Sequence, residues 1–285
     1  MPKLLSKAQI ERYREEGFVA PVRVMPKAEA LALRAQLERF ERDTGAPLKG
    51  DLRHKPHLLF TWLAALVRHP RILDAVEDLY GPDLLCWSSS FFIKERESPA
   101  FVSWHQDSTY WGLDRPDVVS AWVAFTPANT GNGAMRVLPG SHRFDQVAHR
   151  DTFAKHNLLT RGQEVAVEVD ERQTVPLELE PGEMSLHHVR LVHGSPPNLS
   201  EDRRIGLAIR YMPTTVRQIA GSEDSATLVR GEDRFGNFAP EPAPPGDLDP
   251  AMVELHRRIT ERNVRILYRG TNVESFNDPR GAGLR

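Results

Sequence analysis

Apolar positions in the first eighty residues recur at helical spacing. A capping-box pattern, Ser6-Lys7-Ala8-Gln9, precedes Ile10 and Tyr13, and Gly17 supplies a stop. Pro26 opens a second segment, in which Leu33, Leu37 and Phe40 fall at i, i+4 and i+7 before Gly45 ends it. A third helix is predicted over 58–67. A fourth is predicted over 71–79, with Ile72, Ala75, Val76 and Leu79 on one stripe and Gly81 closing it. After Gly81 the period shortens. β-prone runs at 84–94, 118–125, 135–138, 164–169, 175–179, 184–187 and 205–211 are separated by turn residues such as Gly131-Asn132-Gly133, Pro139-Gly140 and Pro181-Gly182. Regularly spaced short strands predict a sandwich or barrel. From 214 to 250 the pattern breaks, and residues 239–246 (APEPAPPG) are expected to form neither ladder nor helix. So long a loop in a compact domain is a functional lid or a mobile surface segment. A last helix over 250–268 would turn Met252, Leu255, Ile259 and Ile266 inward. Helices first and strands after give an α+β chain of one domain. Its parts are a helical section 1–82, a strand-rich core 83–213, and a lid-like loop with a final helix, 214–285.

Composition narrows the class. With 285 residues, 40% hydrophobic and 27% charged, the chain can bury a real core. Lys plus Arg (37) nearly balances Asp plus Glu (39), and a net charge of −2 argues against nucleic-acid partners and polybasic membrane binding. No run approaches the roughly 20 apolar residues of a membrane span. The opening MPKLLSKAQIERYREEG turns charged too early for a signal peptide. Cys86 is the only cysteine, which excludes disulfide frameworks and thiolate zinc sites. A cytoplasmic protein is expected, monomer or homodimer, with any metal site built from His, Asp and Glu.

Three stretches stand out among the eleven histidines and the arginines. In Trp104-His105-Gln106-Asp107, positions i and i+2 of an extended strand share a face, so His105 and Asp107 can reach one metal ion. The alternative is a half-buried strand with a solvated Asp. Leu191-Val192-His193-Gly194-Ser195-Pro196 places a histidine at a strand end. Arg203-Arg204-Ile205-Gly206-Leu207 brings an arginine pair into another strand. Two histidines and one carboxylate suit non-haem Fe(II) better than closed tetrahedral zinc. A guanidinium fork suits the distal carboxylate of a dicarboxylate cosubstrate.

These residues carry a resemblance. Trp104-His-Gln-Asp107, Gly133-Ala-Met-Arg-Val-Leu-Pro-Gly-Ser-His142, His193-Gly-Ser195 and Arg204 resemble, in order, the motifs of the phytanoyl-CoA dioxygenase family of Fe(II)/2-oxoglutarate oxygenases. The interval of eleven from His193 to Arg204 also fits. The resemblance spans about 84–212 and implies a double-stranded β-helix (a cupin-like jelly roll) flanked by N-terminal helices and a C-terminal helix. It implies His105, Asp107 and His193 as iron ligands. Arg204 would hold the C5 carboxylate of 2-oxoglutarate, with Ser195 beside it and Trp122 lining the same pocket. Lys94 and Ser120, with Ser88 and Ser90 by strand alternation, are further pocket candidates. Arg203 would be an ordinary exposed charge, because adjacent strand residues face opposite sides. Asp107, where related halogenases carry a small residue, makes hydroxylation the default outcome. The implied reaction consumes O2 and 2-oxoglutarate, releases succinate and CO2, and hydroxylates a small polar or zwitterionic molecule. The alternatives are a non-catalytic jelly-roll metabolite-binding protein and a zinc hydrolase.

Other residues stay open at this level. Tyr110, Trp111, Phe60, Trp62, Trp87, Phe91 and Phe92 pack the interior or form a cage for a cationic amine. His54, Lys55 and His57 are read first as a solvated helix start, the alternative being an anion clamp. His187 and His188 cannot both face inward. His142 is expected in a turn, and the facing of Arg136 is undecided. The 214–250 loop is expected to cover the barrel mouth.

Overall fold

The computed structural model describes residues 2–221 and 223–277. Its helices are α1 (Lys7–Glu16), α2 (Lys27–Thr44), α3 (Thr61–Leu66), α4 (Pro70–Tyr80) and α5 (Pro250–Leu267). The strands of the first half are β1 (Phe18–Arg23), β2 (Leu84–Lys94), β3 (Val102–His105), β4 (Val119–Ala124), β5 (Arg136–Val137) and β6 (His149–Arg150). Those of the second half are β7 (Glu164–Val165), β8 (Val175–Pro176), β9 (Glu183–His188), β10 (His193–Ser195), β11 (Arg204–Pro213), β12 (Ser225–Arg230) and β13 (Ala239–Pro240). A major sheet runs β1-β9-β4-β11-β2-β12-β13, a minor sheet runs β3-β10-β5-β8, and β6 pairs with β7. The two larger sheets enclose the interior of a jelly roll flanked by helices, an α+β arrangement. Among the described residues, no helix is long and apolar enough to cross a membrane.

Strand alternation divides the major sheet into two faces. Val119, Ala121 and Val123 of β4, Ile205, Leu207, Ile209 and Tyr211 of β11, and Met184 and Leu186 of β9 join one core with Leu37, Leu63, Ile72 and Val76 of the helices. The Tyr211 hydroxyl reaches over that core to the Val67 carbonyl at 2.9 Å. The intervening positions face the jelly-roll interior and are largely polar: Ser120, Ser185, His187, Arg204 and Arg210 are all buried. α1 begins as its sequence predicts, with Ser6 and Gln9 exchanging capping bonds and Gly17 left-handed at its end.

The structure departs from expectation at several elements. The third predicted helix is a 3-10 turn (Pro56–Leu58) followed by α3. β1 lies between the first two predicted helices, where no strand was predicted. Its Pro21 is tolerated because β1 is a sheet edge bonded only to β9, with the register shifting across the proline. The 214–250 stretch is not wholly irregular: β12 adds to β2, and β13 pairs parallel with β12. Two residues of the APEPAPPG run therefore do form a ladder. It survives because Ala239 and Glu241 donate to Asp224 and Ala226 while Pro240, without an N–H, sits between them. Behind this edge Glu241 is buried against Lys55 at 2.5 Å, with Ser225 and Thr227 also donating to it. Lys55 and His57 are thus core residues, neither a solvated helix start nor an anion clamp.

Candidate active site

β10 lies between β3 and β5, and its register sets His193 directly opposite His105. Their rings are 4.1 Å apart, centroid to centroid. Asp107 follows β3 at the start of a 3-10 turn, where its N–H is held by the Val189 carbonyl. One donor atom each from His105, Asp107 and His193 lie within 4.8 Å of one another, and all three residues are buried. Among the described residues this is the one such grouping found.

Hydrogen bonds fix which atoms face the common point. His105 Nδ1 donates to the Ser103 and His193 carbonyls at 2.9 and 3.1 Å. His193 Nδ1 donates to the Leu191 carbonyl at 2.9 Å. Each ring is thereby held in the tautomer that leaves Nε2 free as a ligand. Burial, and then the neighbouring His105, hold His193 well below its ordinary range, so it is neutral. Burial alone would raise Asp107, but the neighbouring His105 and His193 rings and the Arg210 charge outweigh it and keep the carboxylate ionised. Two imidazole nitrogens and one carboxylate oxygen fit a divalent transition metal with open positions.

Ser120 Oγ donates to Asp107 Oδ2 at 3.1 Å, so this serine serves the carboxylate rather than the region of Arg204. His187, which the sequence left undecided against His188, points into the same cavity with Nε2 3.9 Å from Asp107 Oδ2. Its neighbour His188 faces away, toward Tyr13 and His142. The signal for His187 was alternation: it lies opposite Ser120 on β4, the inward face.

A cavity between the sheets is lined by the three candidate ligands together with Trp122, Ser195, Arg204 and Met135. Arg204 is 2% exposed, its guanidinium 5.2 Å from the centre of the Trp122 ring. No carboxylate of the described residues pairs with it, its Nε has no partner, and burial pulls it down to about 10. Gly206 makes room for this arrangement, since a Cβ there would stand 1.9 Å from the Trp122 ring. Ser195 Oγ donates to the Gly133 carbonyl at 2.8 Å. Lys94, opposite Arg204 on β2, lies behind Ser195 and does not line the cavity. Its Nζ donates to Ser195 Oγ and to the carbonyls of Ser195, Pro196 and Gly133. Burial and the Arg204 charge pull it down to about 6. Arg203 faces the other way. It is not a free charge, pairing with Glu41 at 2.7 Å and Glu95 at 2.8 Å. Arg136 also turns away, toward Thr174, while Met135 faces in. His142 bonds the Arg14 carbonyl and is no ligand.

A second cavity adjoins the first, sharing Phe92, Asp107 and Arg210 with it. Its walls include Trp87, Trp111, Arg53, Leu158, Gln163 and Leu267, and it encloses about 590 Å3, part of it open to solvent. None of the described residues of 214–250 lines either cavity, so the expectation that this loop covers the barrel mouth is not met.

Comparison with known proteins agrees with this geometry. The chain is 32% identical over 177 residues to a probable alpha-ketoglutarate-dependent hypophosphite dioxygenase of Stutzerimonas stutzeri, covering 61% of each chain. It is 28% identical over 154 residues to the ectoine dioxygenase of Bordetella parapertussis, covering 49% of this chain and 50% of that one. The chain thus spans only about half to three-fifths of the curated relatives it matches. Among solved structures, the non-haem monooxygenase ThoJ, in its apo form, superposes with a TM-score of 0.82 at 38% identity over 91% of this chain and 97% of its own. CytC3 with Fe(II) and alpha-ketoglutarate superposes at 0.62 and 25% identity, over 83% and 93%. The family model for phytanoyl-CoA dioxygenase (PhyH) matches residues 13–206. The chain belongs to the phytanoyl-CoA dioxygenase family.

Proposed function

We propose that this protein is an Fe(II)- and 2-oxoglutarate-dependent dioxygenase that hydroxylates a small molecule. The observation that carries the reading is the convergence of His105, Asp107 and His193 beside a buried arginine that lacks a carboxylate partner. His105 Nε2, His193 Nε2 and Asp107 would hold the iron, while Arg204 and Ser195 would receive the distal carboxylate of 2-oxoglutarate under the Trp122 ring. Bound iron and 2-oxoglutarate supply the O2-dependent oxidation, with release of succinate and CO2. The chain's own tasks are positional. The Nδ1 bonds of both histidines hold their rings, and Ser120 orients Asp107. Lys94 holds Ser195 toward Arg204 from behind. Phe92, Val102, Met135 and Ala208 keep the cavity apolar around these groups and exclude water.

Relatives named for hypophosphite and ectoine support a small polar or zwitterionic substrate. A buried free thiol, Cys86, supports a reducing compartment and hence the cytoplasm. The test is succinate formation from 2-oxoglutarate with Fe(II) and ascorbate, with and without a metabolite panel. Turnover that rises with one panel member and stops with added zinc supports the reading. No turnover with Fe(II), with tight metabolite binding, would instead identify a non-catalytic jelly-roll binding protein.

A further inference from the structure

Arg210 lies on the same inward face of β11 as Arg204, six residues further along, or roughly 20 Å of strand. Its register neighbours are Ser88 on β2 and Ser120 on β4, the serine that bonds Asp107. Arg210 therefore lines the cavity beyond the candidate ligands, as Arg204 lines the one beside them. It is 7% exposed. Its Nε has no partner, and its one hydrogen bond is a long 3.4 Å to the Ala208 carbonyl. Arg53 enters the same cavity from the 3-10 turn Gly50–Arg53, 8% exposed, with Nε and Nη2 both spent on the Phe91 carbonyl. Both guanidinium charges reach His54 and, with burial, hold it neutral.

Two buried cations converge, and no carboxylate of the described residues is in ion-pair range of either. Asp107 acts on Arg210 through charge alone, because its oxygens face His105 and Ser120. Burying a guanidinium without a counter-charge is costly, so the site is built for an anion that arrives from outside. The aromatic walls do not reverse this. Trp111 and Phe92, which could have caged an amine, each have the Arg210 guanidinium 5.7 Å from the ring centre.

We propose that the cavity between Arg53 and Arg210 binds the primary substrate through an oxyacid group, a carboxylate or a phosphonate. Naming the occupant a substrate rests on the oxygenase reading above; the anion site itself does not. Ser88, Ser90 and Gln163 supply further donors along the same wall.

The full chain, loaded with Mn(II) and 2-oxoglutarate under nitrogen so that Arg204 is occupied and nothing turns over, is titrated with benzoate, phenylphosphonate and benzamide. Binding is read by calorimetry and by the fluorescence of Trp87 and Trp111. At least one acid should bind about tenfold or more tighter than the amide, and its preference over the other acid assigns carboxylate or phosphonate. Arg210→Gln and Arg53→Gln should each weaken acid binding about tenfold or more, and Arg53→Gln, whose side chain stands away from the candidate metal ligands, should leave 2-oxoglutarate affinity within about twofold. Arg210→Lys should recover part of the loss, which a merely structural role for Arg210 would not produce. If Arg210→Gln fails to fold, Arg53→Gln and Arg210→Lys carry the comparison. Acids that bind no better than benzamide, or equally well to both arginine variants, overturn the proposal. Failure of 2-oxoglutarate to bind the wild type would overturn the oxygenase reading instead, and the acid–amide comparison on the same sample still decides the anion site.

Discussion

Replacing Arg204 with methionine should move two observables in opposite directions. In the free protein the guanidinium is buried with no acidic partner, and burial draws it from its ordinary 12.5 to about 10. At about 1.4 kcal/mol per pH unit, that corresponds to about 3 kcal/mol by which folding disfavours the charge, an upper bound because the shorter methionine leaves some space unfilled. Arg204→Met should therefore leave the Tm of the ligand-free protein unchanged or a few degrees higher. With 2-oxoglutarate present the balance reverses. Truncating one partner of a buried, hydrogen-bonded charge pair costs about 2–5 kcal/mol, or about 30-fold to several-thousand-fold in Kd. The assay is scanning calorimetry of the ligand-free variant beside anaerobic titration of 2-oxoglutarate into the Mn(II)-loaded form. Arg203→Ala is the control. It removes the pairs with Glu41 and Glu95 on the opposite face and should leave the Kd within about twofold. If Arg204→Met lost several degrees of Tm and still bound 2-oxoglutarate within about threefold of wild type, Arg204 would be a structural residue and the reasoning would be refuted.

Asp107→Ala should abolish stoichiometric Fe(II) binding and succinate formation with little change in far-UV circular dichroism; normal turnover would remove Asp107 from the ligand set. Ser120→Ala frees Asp107 Oδ2 and should weaken metal affinity about 10- to 100-fold, read by competition with a chelating dye. Gly206→Ala drives a methyl into the Trp122 ring and should raise the KM for 2-oxoglutarate far more than that for the primary substrate, because the displaced indole moves against Arg204. Burial alone would raise Glu241, but Lys55 and His57 outweigh it and hold the carboxyl at about 2 against an ordinary 4.5. That contribution to stability is complete above pH 4.5 and is lost as pH falls toward 2. Urea melts should show a steeper acid loss for wild type than for Glu241→Gln, which at neutral pH should itself be about 3–5 kcal/mol less stable.

What could be read from the sequence was local. The capping box at Ser6 and Gln9, the stripe of α4 and the full length of β2 follow from spacing within one segment. The interval of eleven from His193, fitting the family, chose Arg204 over Arg203, and parity allowed only one of His187 and His188 to face inward. Parity could not say which, because that depends on the pairing of β9 with β4, two strands far apart in sequence. The same holds for the opposition of His193 and His105, which pattern-matching to the family supplied and spacing alone could not. β1 and β13 were hidden by Pro21 and Pro240, which a central strand would reject and an edge accepts. Arg210 was legible in principle, being an even number of residues from Arg204. It read as part of an apolar run because the residues around it are core.

The alternation along β4 and β11 has an evolutionary consequence. Odd positions hold the sheet to the helices, while even positions face the interior between the two sheets. A lineage can therefore rewrite its appetite for new molecules at 208 or 210 without disturbing the scaffold's foundations one residue to either side. Kinship in this fold should accordingly outlast kinship in diet.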